Sequence, residues 1–436
     1  MELTGLFFEL IRVSVGTQEG LSRLPSEAEW DDLYAMAEKQ SLVGICFAGL
    51  QNLGADADDG FTRIGMSELQ YLNWMLVAAT IQERNEVMNR QCGVLQVELT
   101  SAGFRSSILK GQGIASLYSL ARPSSGLALL RQSGDIDIYV DGGREKAIRY
   151  AQGRQEKVSW DYKHLHLDAF ADTPVELHYR PEYLANLVHN RRFQRWAREN
   201  EEHLFGREVH CDGCALVTPD TYFNSVYVLA HIYNHNMRAG VGLRQLMDYY
   251  FVLAERQYTE AERSELLPVL NRLGLLRYAS GVMWLLQTVF GLADANLLCA
   301  PCESEGRYIL DGVLIGGNMG RGYEKPDKGG CAGSGRKGVG RGGDGAGGNG
   351  SGTLSGRGGN GPGGNGSGTG ACRVDNGLGR DGCGSRRVGR FMQFASGVLR
   401  YSARSFLHYP LEALSYPIWA VVHFVWKRVW GLVKGV

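Results

Sequence analysis

The chain has 436 residues, is 44% apolar and 21% charged, and carries no formal net charge. That length accommodates two or three ordinary domains of roughly 150 residues, and the near-average composition excludes wholesale disorder. Glycine alone departs from the norm: 27 of the 60 glycines fall between Gly329 and Gly389.

The neutrality conceals an uneven distribution. Residues 1–328 hold 32 Lys+Arg and 42 Asp+Glu, residues 329–389 hold 8 and 3, and residues 390–436 hold 6 and 1. An acidic body gives no strong nucleic-acid signal and argues against nonspecific nucleic-acid coating. MELTGLFFELIRVSVG lacks the basic start of a secretion signal. No run reaches the ~18 apolar residues of a membrane span. The chain is expected to be cytoplasmic, with its nine cysteines mostly reduced.

In chain order, residues 26–50 predict an amphipathic helix. Ser26 and Glu29 have capping-box spacing, and Trp30, Leu33, Tyr34 and Ala37 follow a helical period. A second long helix is predicted over 66–102, with Leu69, Leu72 and Leu76 on one face and Trp74 off that stripe. The period then changes. Residues 104–109 read as a strand, 110–113 as a turn and 114–120 as a short helix. Alternation at 135–140, 164–169 and 175–179 predicts strands, and Ala171-Asp172-Thr173-Pro174 predicts a hairpin turn between the last two. The polar stretch 143–161 leaves room for a shortened helix only.

From Thr218 the pattern is helical. Thr218-Pro219 reads as an N-cap and first-turn pair. Helices are predicted over 219–237, 243–256, 259–273, 275–290 and 305–315. The Gly-rich segment lacks apolar residues to offset chain entropy and is expected to be a disordered tether. Residues 390–430 predict a basic, aromatic helical tail punctuated by Pro410 and Pro417. Two readings of that tail stand: weak peripheral membrane contact through its aromatic face, or packing back on the helical region.

The sharpest motif is LRQSGDIDIYV, residues 130–140. On a strand, Asp135 and Asp137 point to one face with Cα atoms roughly 6.5–7 Å apart. Paired carboxylates on a buried strand repel each other and call for a cation. A hard divalent ion, Mg²⁺ or Mn²⁺, takes such oxygens. In PVELHYRP, Glu176 and His178 share a face and Glu176 offers a third carboxylate, with Asp168 as its competitor. His178 either orients a ligand or hydrogen-bonds within the strand. Three acids suit two-metal chemistry at an in-line displacement. Upstream, ILKGQG places Lys110, Gly111 and Gly113 where a strand meets a helix, a setting for phosphate. Arg131, Ser133 and Gly134 are further candidates for phosphate binding.

Other features have weaker readings. His231 and His235 have zinc-ligand spacing without the general-base Glu, and read as pocket-polar or structural, with Arg244 and Asp248 either pairing with them or contacting the acceptor. Cys211/Cys214 and Cys299/Cys302 form C-x-x-C pairs too far apart to suit one zinc site. Cys331, Cys372 and Cys383 have no coherent spacing.

The order LKG, R-x-S-G-D-I-D-I-Y-V, V-E-L-H-Y resembles the bacterial uncharacterised nucleotidyltransferase family of the DNA polymerase β-like superfamily. The resemblance extends over EWDDLYAMAEKQSLVGICFAGL and HIYNHNMRAGVGLRQLMDYY, covering about residues 25–325 and the tail around 390–430. It implies an α+β fold: a small mixed sheet flanked by an N-terminal helical element and a C-terminal helical subdomain. The corresponding divisions are 1–103, 104–217, 218–325, the insert 326–389 and the tail 390–436. It further implies transfer of a nucleoside monophosphate from an NTP to an unknown acceptor, with Asp135, Asp137 and Glu176 as metal ligands and catalytic acids. Lys110-Gly111 stands where the wider superfamily has Gly-Ser. The alternative is a catalytically inactive member that binds or regulates.

Overall fold

The computed structural model describes residues 2–120, 126–238, 240–317, 406, 408–419 and 421–422. The Gly-rich insert and most of the tail lie outside them, as do Cys331, Cys372 and Cys383. The described residues fall within one compact unit, and the divisions predicted at 103/104 and 217/218 lie inside it.

The chain opens with α1 (Glu2–Val15), α2 (Glu27–Gln40), α3 (Val43–Asn52), the short α4 (Gly60–Arg63) and the long α5 (Glu68–Ser101). Both halves of the Ser26/Glu29 capping box form. The helix predicted over 26–50 is two helices, because Ser41 adopts a left-handed conformation, φ 56°, that ends α2. Apolar α1 packs on α3 and was not predicted. Trp30 is fully buried and its indole N–H donates to the Ile64 carbonyl at 3.0 Å; truncating such a side chain costs about 3–5 kcal/mol.

Helix α5 runs about 50 Å at 1.5 Å per residue and serves two cores. Its first half packs Trp74 and Ala78 into the helical layers, and its second half packs Met88, Cys92, Leu95 and Leu99 under the sheet. The Leu69–Leu72–Leu76 stripe faces outward, with Leu69 78% and Leu76 68% exposed, whereas Trp74 is buried. The off-stripe tryptophan decides the orientation, since it is by far the largest apolar side chain there.

Then follow β1 (Ser106–Ile108), α6 (Gln112–Ala115), α7 (Leu127–Leu130), β2 (Ile136–Val140), α8 (Gly143–Gln152), β3 (His164–Leu167) and β4 (Val175–His178). Four strands make a mixed sheet in the order β1-β2-β4-β3. β2 and β4 are parallel, and the other two pairings are antiparallel, including the predicted β3/β4 hairpin. Helix α8 has ten residues and packs Ala147 and Ala151 into the sheet core.

Helix α9 (Leu187–Glu199) and the hairpin β5 (Arg207–Cys211)/β6 (Cys214–Thr218) were not predicted as such. Helices α10 (Thr221–Arg238), α11 (Leu243–Ala254), α12 (Glu260–Arg272), α13 (Leu276–Phe290) and α14 (Glu303–Gly316) complete the body. Thr218 is not the cap of α10: it ends β6 opposite Arg207, and Asp220 accepts from the Phe223 N–H at 2.9 Å instead. The fold is therefore α+β, with helices outweighing a small sheet.

Within the tail, residues 410–419 are helical and lie on the body. Trp419 stacks on Tyr183 at 5.0 Å, and His189 bonds Glu412 at 3.1 Å. No helix among the described residues is long and apolar enough to cross a membrane.

Candidate functional site

Strand alternation sorts the sheet into two faces. Ile136, Ile138, Val140, Leu165, Leu167, Val175 and Leu177 enter the core shared with α5 and α8. The opposite face carries Asp137, Glu176, His178, His164 and His166. Register places Asp137 directly beside Glu176 and pairs Glu176 with His166 across the next ladder. Asp135 lies just before β2, half-buried. Asp168 lies exposed beyond the end of β3 and joins no such cluster among the described residues.

The acids are compensated. Lys110 Nζ pairs with Asp137 Oδ2. His178 Nε2 donates to Asp137 Oδ1 at 2.9 Å and lies 3.4 Å from Glu176, while its Nδ1 is 3.3 Å from the Arg180 carbonyl. Burial opposes the charge of Asp137, but Lys110 and His178 outweigh it and hold the carboxyl well below the usual range. Burial likewise opposes the charge of Glu176, and the His178 hydrogen bond lowers its pKa overall. Burial disfavours charge on His178 too, yet Asp137 and Glu176 raise its pKa. His164, 3.0 Å from Glu176, is pushed down to about 4 by burial and by repulsion from His178.

Ligand atoms of Asp137, Glu176 and His178 lie within 4.8 Å of one another, as do those of His164, His166 and Glu176. Two carboxylates in register offer the oxygen donors that Mg²⁺ and Mn²⁺ take. His178 bonds Asp137 and lies 3.4 Å from Glu176, the place of an outer partner that orients metal ligands. The donor set therefore fits a divalent cation.

The turn after β1 closes the site from above. Gly111 has φ 61°, open to glycine at little cost. Gly113 lies so close to the Ile108 carbonyl that a side chain there would collide with the backbone. The chain therefore reverses tightly, and Lys110 reaches Asp137. The burial penalty on Lys110 is outweighed by Asp137, Asp135 and Glu176, which raise its pKa.

Arg131 is buried in a bidentate pair with Asp248, at 2.7 and 2.8 Å, and Tyr118 donates to the same carboxylate at 2.7 Å. This joins the motif to α11. Asp248 pairs with Arg131, not with the histidines named beside it in the sequence.

A cavity of about 180 Å³ lies between the sheet and α10–α11. Its walls include Lys110, Gly111, Arg131, Gly134, Asp135 and Asp137. Opposite them stand Tyr227, His231 and His235 of α10 and Arg244 of α11. Neither Glu176, turned to its two histidines, nor half-buried Ser133 is among the wall residues. A larger cavity, about 420 Å³, lies against α9 and contains none of the predicted site residues. The acids and the Lys110-Gly111 turn border the smaller one, which makes it the candidate site.

Sequence reasoning missed Glu182, Lys163, His164 and Tyr227. For Tyr227 a signal existed: it precedes His231 and His235 at spacings of four on one helix face. Glu182 follows a proline in an irregular stretch and had none. Cys211 and Cys214 face each other across the β5/β6 turn, and Cys299 and Cys302 lie between α13 and α14.

A model of the uncharacterised nucleotidyltransferase family matches residues 26–291. No curated protein matches the chain, and no solved structure does.

Proposed function

Because the chain belongs to the uncharacterised nucleotidyltransferase family, we propose that it transfers a nucleoside monophosphate from an NTP to an acceptor nucleophile. Mg²⁺ or Mn²⁺ is held by Asp137 and Glu176, with Asp135 completing the acidic set. The observation that carries this reading is the register pairing of Asp137 with Glu176 directly below the Lys110-Gly111 turn. A bound cation would neutralise charge developing on the α-phosphate and the leaving oxygen.

The chain's own residues supply the rest. Lys110 is a point charge at the cavity wall, able to exchange Asp137 for phosphate. Gly111 lets backbone approach a phosphate oxygen closely. Arg131, fixed by Asp248, keeps the Ser133-Gly134-Asp135 stretch in place and adds positive potential to the wall. Gly134 leaves that wall open, and Ser133 stands beside it as a phosphate-binding candidate. A 180 Å³ cavity suits the transferred phosphoryl group and the reacting atoms, with base and sugar lying outside it.

The Lys110–Asp137 pair also favours a second reading, a protein that keeps the fold and binds without catalysing, because the acid is already neutralised. The experiment is transfer of α-labelled NTP to acceptors in cell extract with Mg²⁺ or Mn²⁺. The transfer reading predicts label incorporation by wild type and its loss in Asp137→Asn. Equal labelling by both would overturn the assigned site.

A further inference from the structure

Glu182 lies in the stretch between β4 and α9 and is fully buried. Its Oε2 accepts from His231 Nδ1 at 2.8 Å and from Lys163 Nζ at 3.1 Å. Its Oε1 accepts from the Asn234 amide at 3.2 Å and from the Tyr183 N–H at 3.1 Å. Four donors keep this carboxylate ionised.

A carboxylate on Nδ1 fixes the imidazole tautomer. Nδ1 carries the proton and Nε2 keeps a lone pair. Among the described residues Nε2 has no hydrogen-bond partner, although His231 is a wall of the cavity that holds Asp135, Asp137 and Lys110. One turn earlier on α10, Tyr227 lines the same cavity, and its buried hydroxyl also has no partner.

A histidine serving only to satisfy the core would have both nitrogens used or lie away from a cavity. Here two unspent polar atoms on one helix face stand across the cavity from the acids. Glu176 lies 3.0 Å from His164 and 3.4 Å from His178 and does not line the cavity.

We propose that Glu182 and His231 form a carboxylate–imidazole pair that takes the proton from the acceptor, and that the acceptor is therefore an alcohol or phenol hydroxyl. Tyr227 donates a hydrogen bond to the oxygen that attacks or to the phosphoryl group. The inference rests on the nucleotidyl-transfer reading. The acceptor O–H proton passes to His231 Nε2, and the oxygen pair forms the bond to the α-phosphorus. The bond from that phosphorus to the bridging oxygen breaks, and its electrons leave with pyrophosphate. The imidazolium, held by Glu182, then returns the proton to pyrophosphate or solvent. A carboxylate or phosphate acceptor, already ionised, would have no use for this pair.

Lys163, Lys110, Glu182 and His235 surround His231. Burial and Lys110 outweigh Glu182 and lower its pKa, which keeps the ring neutral and able to accept a proton at neutral pH.

The test measures total movement of label from α-labelled ATP, to water or to acceptors in extract, with Mn²⁺. It also measures Mn²⁺–ATP affinity by calorimetry. His231→Gln should lose about 10²-fold or more in rate, the usual contribution of a general base, with affinity within about threefold of wild type. Glu182→Asp should retain more rate than Glu182→Gln. Tyr227→Phe, which deletes an unpartnered hydroxyl without disturbing packing, should slow transfer about tenfold at unchanged Tm, and it reports even where the buried variants unfold. Wild-type rates in His231→Gln and Tyr227→Phe beside an active wild type overturn this inference alone. A wild-type chain that moves no label overturns the transfer reading together with it.

Discussion

The ammonium group of Lys110 sits on Oδ2 of Asp137, the carboxylate proposed above to hold a cation. On that proposal a divalent ion and Lys110 compete for one oxygen, and phosphate would give Lys110 somewhere else to go. Lys110→Met should tighten binding of Mn²⁺ alone several-fold and weaken binding of NTP. Calorimetry with each ligand separately checks both signs. Weaker Mn²⁺ binding in the variant would mean that the two cations do not share the site.

Cation binding should also stabilise the fold. A ligand at 100 times its Kd adds about 2.7 kcal/mol to stability. Mn²⁺ should raise the Tm of wild type, chelation should reverse the rise, and Asp137→Asn or Glu176→Gln should abolish it. An undiminished rise in both variants would place the ion elsewhere.

The Arg131–Asp248 pair ties the motif to α11. Burial disfavours charge on Asp248, and Arg131 outweighs it, so its folded pKa is lowered. A carboxyl with a depressed folded pKa contributes stability above its unfolded value of about 3.9, and that contribution is lost as pH falls through the folded value. Urea midpoints should hold between pH 7 and 5 with respect to this group and fall below about pH 4. Asp248→Asn should cost about 3–5 kcal/mol at pH 7 by leaving Arg131 buried and unpaired, and should flatten the acid loss. A midpoint in Asp248→Asn equal to wild type would remove the pair from the account.

Gly113 faces the Ile108 carbonyl too closely for any side chain. Gly113→Ala should displace the Lys110-Gly111 turn, lower Tm and reduce NTP affinity together. Ala at exposed Gly134, where nothing lies within 4 Å, should leave Tm unchanged. A Gly113→Ala chain with wild-type Tm and NTP affinity would show that the turn is free to shift.

The sequence carried the site's vocabulary better than its grammar. Alternation exposed Asp137, Glu176 and His178 on one face because period two is local. Their adjacency depends on the parallel register of β2 and β4, which no local pattern encodes. The Glu182–His231 bond spans 49 residues and joins an irregular stretch to a helix, so only tertiary packing reveals it. The break at Ser41 has no local signal, because a non-glycine residue takes the left-handed turn within a continuing apolar pattern. The Leu69–Leu76 stripe illustrates the reverse error: periodicity located a face without saying which way it points.

Whether the Asp137–Glu176 pair supports nucleotidyl transfer is decided by release of pyrophosphate and movement of label from α-labelled NTP with Mn²⁺, in wild type and Asp137→Asn side by side. Wild type should turn over, and the variant should lose at least about 10²-fold at retained fold. Equal turnover, or none by wild type, would rule the pair out.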